Sequence, residues 1–486
     1  MNELQRDHYD VIIIGAGLAG CAVARALRQA DPDGRRSIAV IDKCKGVHPR
    51  FSGEFIHPRG AQILEDLGFY EPLRVAGAVD VDGFLAFEHA DAQPVELEYG
   101  DVPNQRARGL SVHHKTLVRT MRGELRKTGE VDLYEGWSLQ ELVRNDAGHV
   151  SGVQLQGPDK QRHTLHCDLL VAADGKGSSV RKLAGIGDKG RTTIGFTAGV
   201  AVTDASLVRS TYAHVMLGAW GPVLAYPIQN EADGSVTTRI TIDLPKELPA
   251  KGAALKEHLL EAYIPFLPAP LSTEVAAAIR KHPGNLEMAP TVNLPAPAAA
   301  QPGLVLVGDA GGCSHPITAS GMTMGLRDAE TLAAEARRRS TAPAGEPWFD
   351  SGALRRYRSA HDRYVPTRQA LADAIYEAFR GEREGSRAIR RALFEYWGSG
   401  PSARSRSMAL LSCSEGRPSV FLAEYLKTAR HALSSSLVPQ HARRYPVADR
   451  VRRARGAAAL AKDKLGLVAE VMWAQVRPTW MPDVAR

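Results

Sequence analysis

The chain has 486 residues, 44% of them hydrophobic and 24% charged, enough apolar material for a large core shared among two or three structural units. Five cysteines without CxxC spacing suggest neither a disulfide framework nor a zinc centre, so a reducing compartment and no metal are expected. The net charge of +7 is concentrated at the end, where residues 441–486 hold ten Lys and Arg against four Asp and Glu. Such a tail suits an anionic membrane surface; nucleic acid is not expected as a partner, and neither a secretory leader nor a spanning helix is expected.

In chain order, Tyr9-Asp-Val-Ile-Ile-Ile14 reads as a strand and Cys21–Gln29 as a helix, with Gly15-Ala-Gly-Leu-Ala-Gly20 between them. Ser37-Ile-Ala-Val-Ile41 is a second strand that ends at Asp42. This is a GxGxxG turn in its full strand–turn–helix context. Gly15 makes the tight turn, Gly17 lets a pyrophosphate approach the backbone, and Gly20 packs helix on strand. Asp42 is placed to accept hydrogen bonds from an adenosine ribose. Ala19, inside the turn, and Lys43, beside the acid, join the candidate cofactor contacts.

Two later strand ends decide which dinucleotide is expected. Asp168-Leu-Leu-Val-Ala-Ala-Asp174 is a strand running into an Asp-Gly turn. Leu304–Val307 is another, followed by Gly308-Asp309 and a stretch to Gly325 almost free of bulky side chains. A nicotinamide cofactor does not need three such sites spread along the chain, whereas extended FAD does. Asp174, Gly308 and Asp309 are therefore cofactor candidates, with Asp309 on the ribityl hydroxyls. The helix opening near Ser320-Gly321-Met322 aims amide N–H groups at the electron-rich edge of the flavin. His315 and Pro316 line the substrate side of its ring. No second GxGxxG for NAD(P)H is visible, so NAD(P)H or a partner flavin reductase remains open as electron donor.

Between these pieces, Tyr212–Leu217, Val223–Ile228 and the alternating Arg239-Ile-Thr-Ile-Asp243 read as strands of a second unit. The Pro- and Ala-rich residues 294–302 read as a linker. The expected architecture is α/β. A discontinuous Rossmann-like FAD-binding domain takes residues 1–75, 108–190 and 301–345. A β-sheet substrate domain takes 76–107 and 191–300, and a C-terminal helical region takes 346–486. Within that region Val420–Lys427 and Leu465–Trp473 are amphipathic and bracket the Arg cluster at 443–455, which with Trp473 and Trp480 suits a membrane interface. The competing reading is a helical cap packed on the second unit. The expected location is the cytoplasm or the cytoplasmic face of a membrane, with peripheral contact through the basic C-terminal helices.

The sequence resembles the squalene epoxidase family within the class A flavoprotein monooxygenases. Arg50-Phe-Ser-Gly-Glu54, followed by Pro58 and Gly60, resembles the family's R-x-x-G-E-x-x-x-P-x-G segment. Val112-His-His-Lys-Thr-Leu-Val-Arg119 resembles its F-H-H/N-G-R-F segment. Gly308-Asp309, with His315-Pro316, Thr318 and Gly321-Met-Thr323, resembles its GD…HP…GMT motif. The resemblance implies cofactor contacts from Arg50, Gly53, Glu54, Arg119, Gly321 and Met322. It also implies Phe84, where the family carries a tyrosine, and His57 beside the substrate; His57, Arg59, His113 and His114 are weighed as structural first. It further implies oxygen transfer from O2, through a flavin C4a-hydroperoxide, to a lipophilic alkene or prenylated aromatic. The changes at Phe84, Ala319 and Ser320 leave the flavin frame intact and bear on the substrate. The rivals are a prenyl double-bond reductase, a halogenase, disfavoured because no two tryptophans lie two apart, and a non-catalytic flavoprotein.

Overall fold

The computed structural model describes residues 4–47, 51, 53–281, 286–341, 343, 346–437, 446–448, 451, 454–456 and 458. The strand His8–Ile14 pairs in parallel with Arg162–Ala172 on one side and Ile38–Asp42 on the other. The parallel layer extends outward to Leu304–Leu306 and to Asp132–Glu135. Val11 and Ile13 point into one apolar cluster, Ile12 and Ile14 into another. A strand buried on both faces needs an unbroken apolar run, which is what Val11-Ile-Ile-Ile14 supplies. The helices Leu18–Ala30 and Gly321–Arg338 lie together against this layer, and their approach is close because Ala19, Gly308 and Gly325 meet there. A Cβ on Gly325 would stand 3.3 Å from the Ala19 Cβ and 3.4 Å from the Gly308 Cα.

A second sheet of seven strands runs in the order Glu287–Asn293, Thr192–Thr203, Val236–Pro245, Pro222–Asn230, Tyr212–Leu217, Gly83–Phe87 and Val95–Glu98. Its pairs are antiparallel except Gly83–Phe87 beside Tyr212–Leu217. Strand alternation divides its faces. Ile240, Ile242 and Leu244 enter a core under the helices Ala253–Ala262 and Leu271–Lys281. Arg239, Thr241 and Asp243 point the other way, toward the first sheet. Phe55–Ile56, Gly109–Ser111 and Val79–Val81 form a small third sheet.

The helix Ser351–Arg380 crosses toward the second sheet, followed by Glu384–Gly398, Pro401–Leu411 and Pro418–Leu437. Ile389, Leu393, Phe394, Trp397 and Met408 form one apolar cluster with Leu97, Tyr99, Ala213 and Val215 of the second sheet and its surroundings. The described part of the helical end is thus a cap on the sheet. Among the described residues no helix is long and apolar enough to cross a membrane. The amphipathic segment Leu465–Trp473, Trp480 and most of the Arg cluster lie outside the described residues.

Candidate active site

The two sheets enclose a cavity of about 330 Å³. One end is built from chain turns with almost no side chains: Gly17, Gly175, Gly308 and Gly321 line it, with Ala19 and Asp309. The other end is apolar and aromatic, with Phe55, Phe84, Ala213, Leu224, Tyr226 and Ile317. This wall continues without interruption into the apolar cluster beneath the C-terminal helices.

The three glycines of the first turn have different geometries. Gly15 has φ +105°, and a Cβ there would lie 2.4 Å from the Ala173 carbonyl oxygen. A Cβ on Gly20 would overlap the Gly15 carbonyl oxygen at 1.8 Å. Both are demanded by packing. Gly17 has ordinary extended backbone and nothing within 4 Å of a built Cβ. Folding leaves that space open, directly at the start of Leu18–Ala30, whose first amides receive no side-chain cap. The helix Gly321–Arg338 also opens at the cavity without a side-chain cap. Two uncapped helix N-termini and a glycine-lined wall fit an anionic, extended cofactor such as FAD.

Asp42 stands at the end of Ile38–Asp42. Its Oδ2 accepts from Ala16 N at 2.8 Å and from Arg122 Nη2 at 2.8 Å, and its Oδ1 accepts from Cys44 N at 2.9 Å. Arg122 is buried and also donates to the carbonyls of Ala16 and Gly46 and to Glu135. Sequence reasoning chose Arg119 from the same helix, His114–Thr128, but Arg119 is exposed and does not line the cavity. The helical period offered Arg122 three positions on, and its apolar neighbours Leu117, Val118 and Met121 mark the buried side. Lys43 is exposed, and Arg50 lies outside the described residues. Asp174 takes the amides of Ser179 and Val180 on Oδ2, while its buried Oδ1 has no partner among the described residues.

Gly308 has φ +58°, and its N–H donates to Asp328 Oδ2 at 2.7 Å. Burial pushes the Asp328 carboxyl up, and the Tyr364 hydroxyl donates to its other oxygen. Arg181, fully buried, reaches from the Asp174 turn to the Ala310 carbonyl at 2.9 Å, so the second and third cofactor segments are tied to each other.

Two expectations are corrected. Glu54 lines the cavity, but its carboxylate is taken: Arg239 Nε and Nη2 each donate to one of its oxygens at 2.8 Å, and Arg239 Nη1 donates to Glu287 at 2.6 Å. Both partners are buried, so Glu54 clamps the edge of the small third sheet to the seven-stranded one, and its carboxylate is committed to Arg239. His57 does not line the cavity. Its Nδ1 is 2.7 Å from the Tyr99 hydroxyl and its Nε2 is 2.6 Å from the Thr318 carbonyl oxygen. A carbonyl only accepts, so Nε2 carries the hydrogen and Nδ1 accepts from Tyr99. Complete burial pulls the His57 pKa down to about 4, and the ring is neutral.

His315, Pro316, Gly53, Gly321, Met322 and Phe84 all line the cavity. His315 is 3% exposed, its Nδ1 accepts from Ile317 N at 3.1 Å, and its Nε2 donates to Asp243 Oδ1 at 3.0 Å. Its ring stacks on Tyr376 with centroids 3.7 Å apart. Sequence reasoning missed Asp243, Arg239 and Tyr376. The alternation of Arg239-Ile-Thr-Ile-Asp243 was readable as one polar and one apolar face, but period alone does not say that the polar face looks into a cavity.

Among known proteins, the squalene epoxidase family model matches residues 166–448, and a model for NAD(P)-binding Rossmann-like domains matches residues 13–75. The chain belongs to the squalene epoxidase family. Squalene epoxidase erg1 of Aspergillus fumigatus is 29% identical over 81% of this chain and 80% of its own length. Squalene monooxygenase of Mus musculus is 28% identical over 87% of this chain and 71% of its own. Among solved structures, p-nitrophenol 4-monooxygenase from Pseudomonas putida superposes with TM-score 0.67 at 18% identity, covering 84% of this chain and 99% of that one. A flavin-dependent brominase superposes with TM-score 0.66 at 19% identity over 87% and 99%. At such identities these two show the fold alone. Family membership makes the protein an FAD-dependent monooxygenase with O2 as co-substrate.

Proposed function

We propose that the protein epoxidises a double bond of a lipophilic isoprenoid, with squalene the first substrate to test and prenylated aromatics the next class. The observation that carries this reading is the cavity's division. Its glycine end fits a flavin, and its other end is apolar wall running from Phe84, Leu224 and Ala213 into the core beneath the helical cap.

In this reading Gly17 and the first amides of Leu18–Ala30 hold the pyrophosphate. Asp42, already fixed by Ala16, Cys44 and Arg122, keeps a lone pair on Oδ1 for a ribose hydroxyl. Asp309 takes the ribityl hydroxyls, and the amides at Gly321 and Met322 face the edge of the ring where reduction leaves negative charge. When bound, FAD takes two electrons from the donor and activates O2 for transfer of one oxygen atom. The chain's share is orientation and exclusion of water. Phe55, Phe84, Leu224 and Ile317 keep the reacting end dry, and Glu54 cannot act as an acid or base while Arg239 holds both its oxygens. The donor is NAD(P)H or a partner reductase, and the basic C-terminal segment brings the enzyme to a membrane in which the substrate is dissolved.

The test is to reduce the purified flavoprotein without air, admit 18O2 with a panel of isoprenoid alkenes, and analyse products by mass spectrometry. One 18O atom per product is expected. A saturated product formed without O2 would make the protein a prenyl reductase instead.

A further inference from the structure

Asp243 is 4% exposed and lies on the wall of the cavity, 72 residues before the histidine it holds. We propose that Asp243 is a positioning residue for oxygen transfer, acting through His315 on the turn that separates the flavin end of the cavity from the apolar end. The inference rests on the monooxygenase reading of the same cavity.

An imidazole in this place has two ways to bond. Its Nδ1 can cap the short turn Pro316–Thr318 by accepting the Ile317 N–H only if Nδ1 bears no hydrogen. The ring must then carry its hydrogen on Nε2, and that hydrogen needs an acceptor. The Asp243 Oδ1 at 3.0 Å is that acceptor. A carboxylate accepts only, so it selects the tautomer that caps the turn. Stacking on Tyr376 fixes the plane of the ring. The groups around the pair are Tyr376 and Arg380 from the helix Ser351–Arg380, Tyr263, and Glu382. Arg380 Nη1 donates to the Tyr376 hydroxyl at 2.9 Å.

The far end of the same turn is held from the opposite side, where His57 Nε2 donates to the Thr318 carbonyl and Ala319 follows with φ +48°. A left-handed alanine is retained only where its surroundings over-determine it. Release of His315 therefore frees Pro316, Ile317 and Ala319, all of which line the cavity. Water then reaches the reacting end, and the two electrons leave with O2 and two protons as hydrogen peroxide instead of with an oxygenated product.

The experiment measures coupling, the fraction of donor electrons recovered as product, together with FAD affinity. Asp243→Leu and His315→Ala, which removes both the cap and the donor, are each expected to lower coupling about tenfold, the scale of a misplaced wall rather than of a lost cofactor. FAD affinity stays within about twofold, because the glycine cradle is untouched. The double variant is expected to be no worse than the worse single one, since both cut the same link. Asp243→Asn keeps an acceptor for Nε2–H and restores coupling. Coupling in Asp243→Leu equal to wild type, or Asp243→Asn as impaired as Asp243→Leu, overturns the proposal. Nitrogen NMR of wild-type His315, assigned by its loss in His315→Ala, is independent of any substrate. It is expected to show the hydrogen on Nε2 at neutral pH, and hydrogen on Nδ1 overturns the proposal. If wild type oxygenates no alkene, the substrate reading fails while the NMR result still decides this one.

Discussion

A single imidazole at residue 57 sets a measurable pH dependence. His57 is fully buried and its pKa is pulled down to about 4, against 6.5 in an exposed chain. In the unfolded state it binds a proton below pH 6.5, and in the folded state it does not until about pH 4. Between those values the unfolded state holds more protons, so stability falls as pH falls and levels off below the folded value. The loss is about 3 kcal/mol for this one ring. His214, also pulled to about 4 by burial, adds a similar term. Urea unfolding at stepped pH should therefore steepen between pH 6.5 and 4, and His57→Gln should remove about one proton's worth of that slope. An unchanged slope in the variant would place a charged or solvated His57 in the folded protein. The glycines make a second residue-scale prediction. Gly20→Ala drives a Cβ into the Gly15 carbonyl oxygen and should cost about 3 kcal/mol or more in thermal or urea unfolding. Gly17→Ala meets nothing and should leave the apoprotein within about 0.5 kcal/mol of wild type. It should still weaken FAD by about tenfold or more, measured by flavin fluorescence, because the proposed pyrophosphate site takes up that open space. Equal FAD affinity in Gly17→Ala would remove the first turn from the cofactor site.

At the scale of elements, legibility followed sequence distance. The strand–turn–helix from residue 9 to residue 30 was readable because the residue types that mark it follow one another in sequence: β-branched residues, then glycines, then a helical stripe. Tyr212–Leu217 was readable for the same reason. The Glu54–Arg239 contact was not, because its partners are 185 residues apart and each looked like an ordinary polar position in its own segment. The helical end gave the right element type, yet its pattern did not say whether the apolar stripes faced a bilayer or a sheet, and for residues 384–411 they face the sheet. The clamp also yields a prediction. Arg239→Met leaves the Glu54 carboxylate buried without its bidentate partner and should cost about 3–5 kcal/mol. Glu54→Gln leaves Arg239 its ion pair with Glu287 and should cost less. If the urea midpoints reverse that order, the buried charge most in need of compensation is Arg239, not Glu54.

For the whole molecule, the helical cap changes where the proposed membrane contact would come from. Ile389, Leu393, Phe394 and Trp397 are spent on the second sheet and offer nothing to a bilayer. The helix Pro418–Leu437 likewise gives Phe421 to a small cluster with Leu371 and Leu410. The strongest remaining feature is charge: the ten Lys and Arg of residues 441–486 against four acids. Attraction of that kind adds about 1 kcal/mol per basic residue near an anionic surface and is screened within roughly 10 Å at 0.1 M salt. Cosedimentation of the full chain with vesicles containing anionic lipid should therefore fall steeply as salt rises and be near zero with neutral vesicles. A chain ending at residue 440 should stay in the supernatant while still binding FAD, since the described residues that line the cavity all fall between Gly17 and Gly325. Binding that survives high salt would instead mean apolar insertion, and the amphipathic stretch Leu465–Trp473 would be the part to replace next. Binding unchanged by the truncation would return the contact to the cap, and one of its helices would then have to leave the sheet in order to reach the lipid.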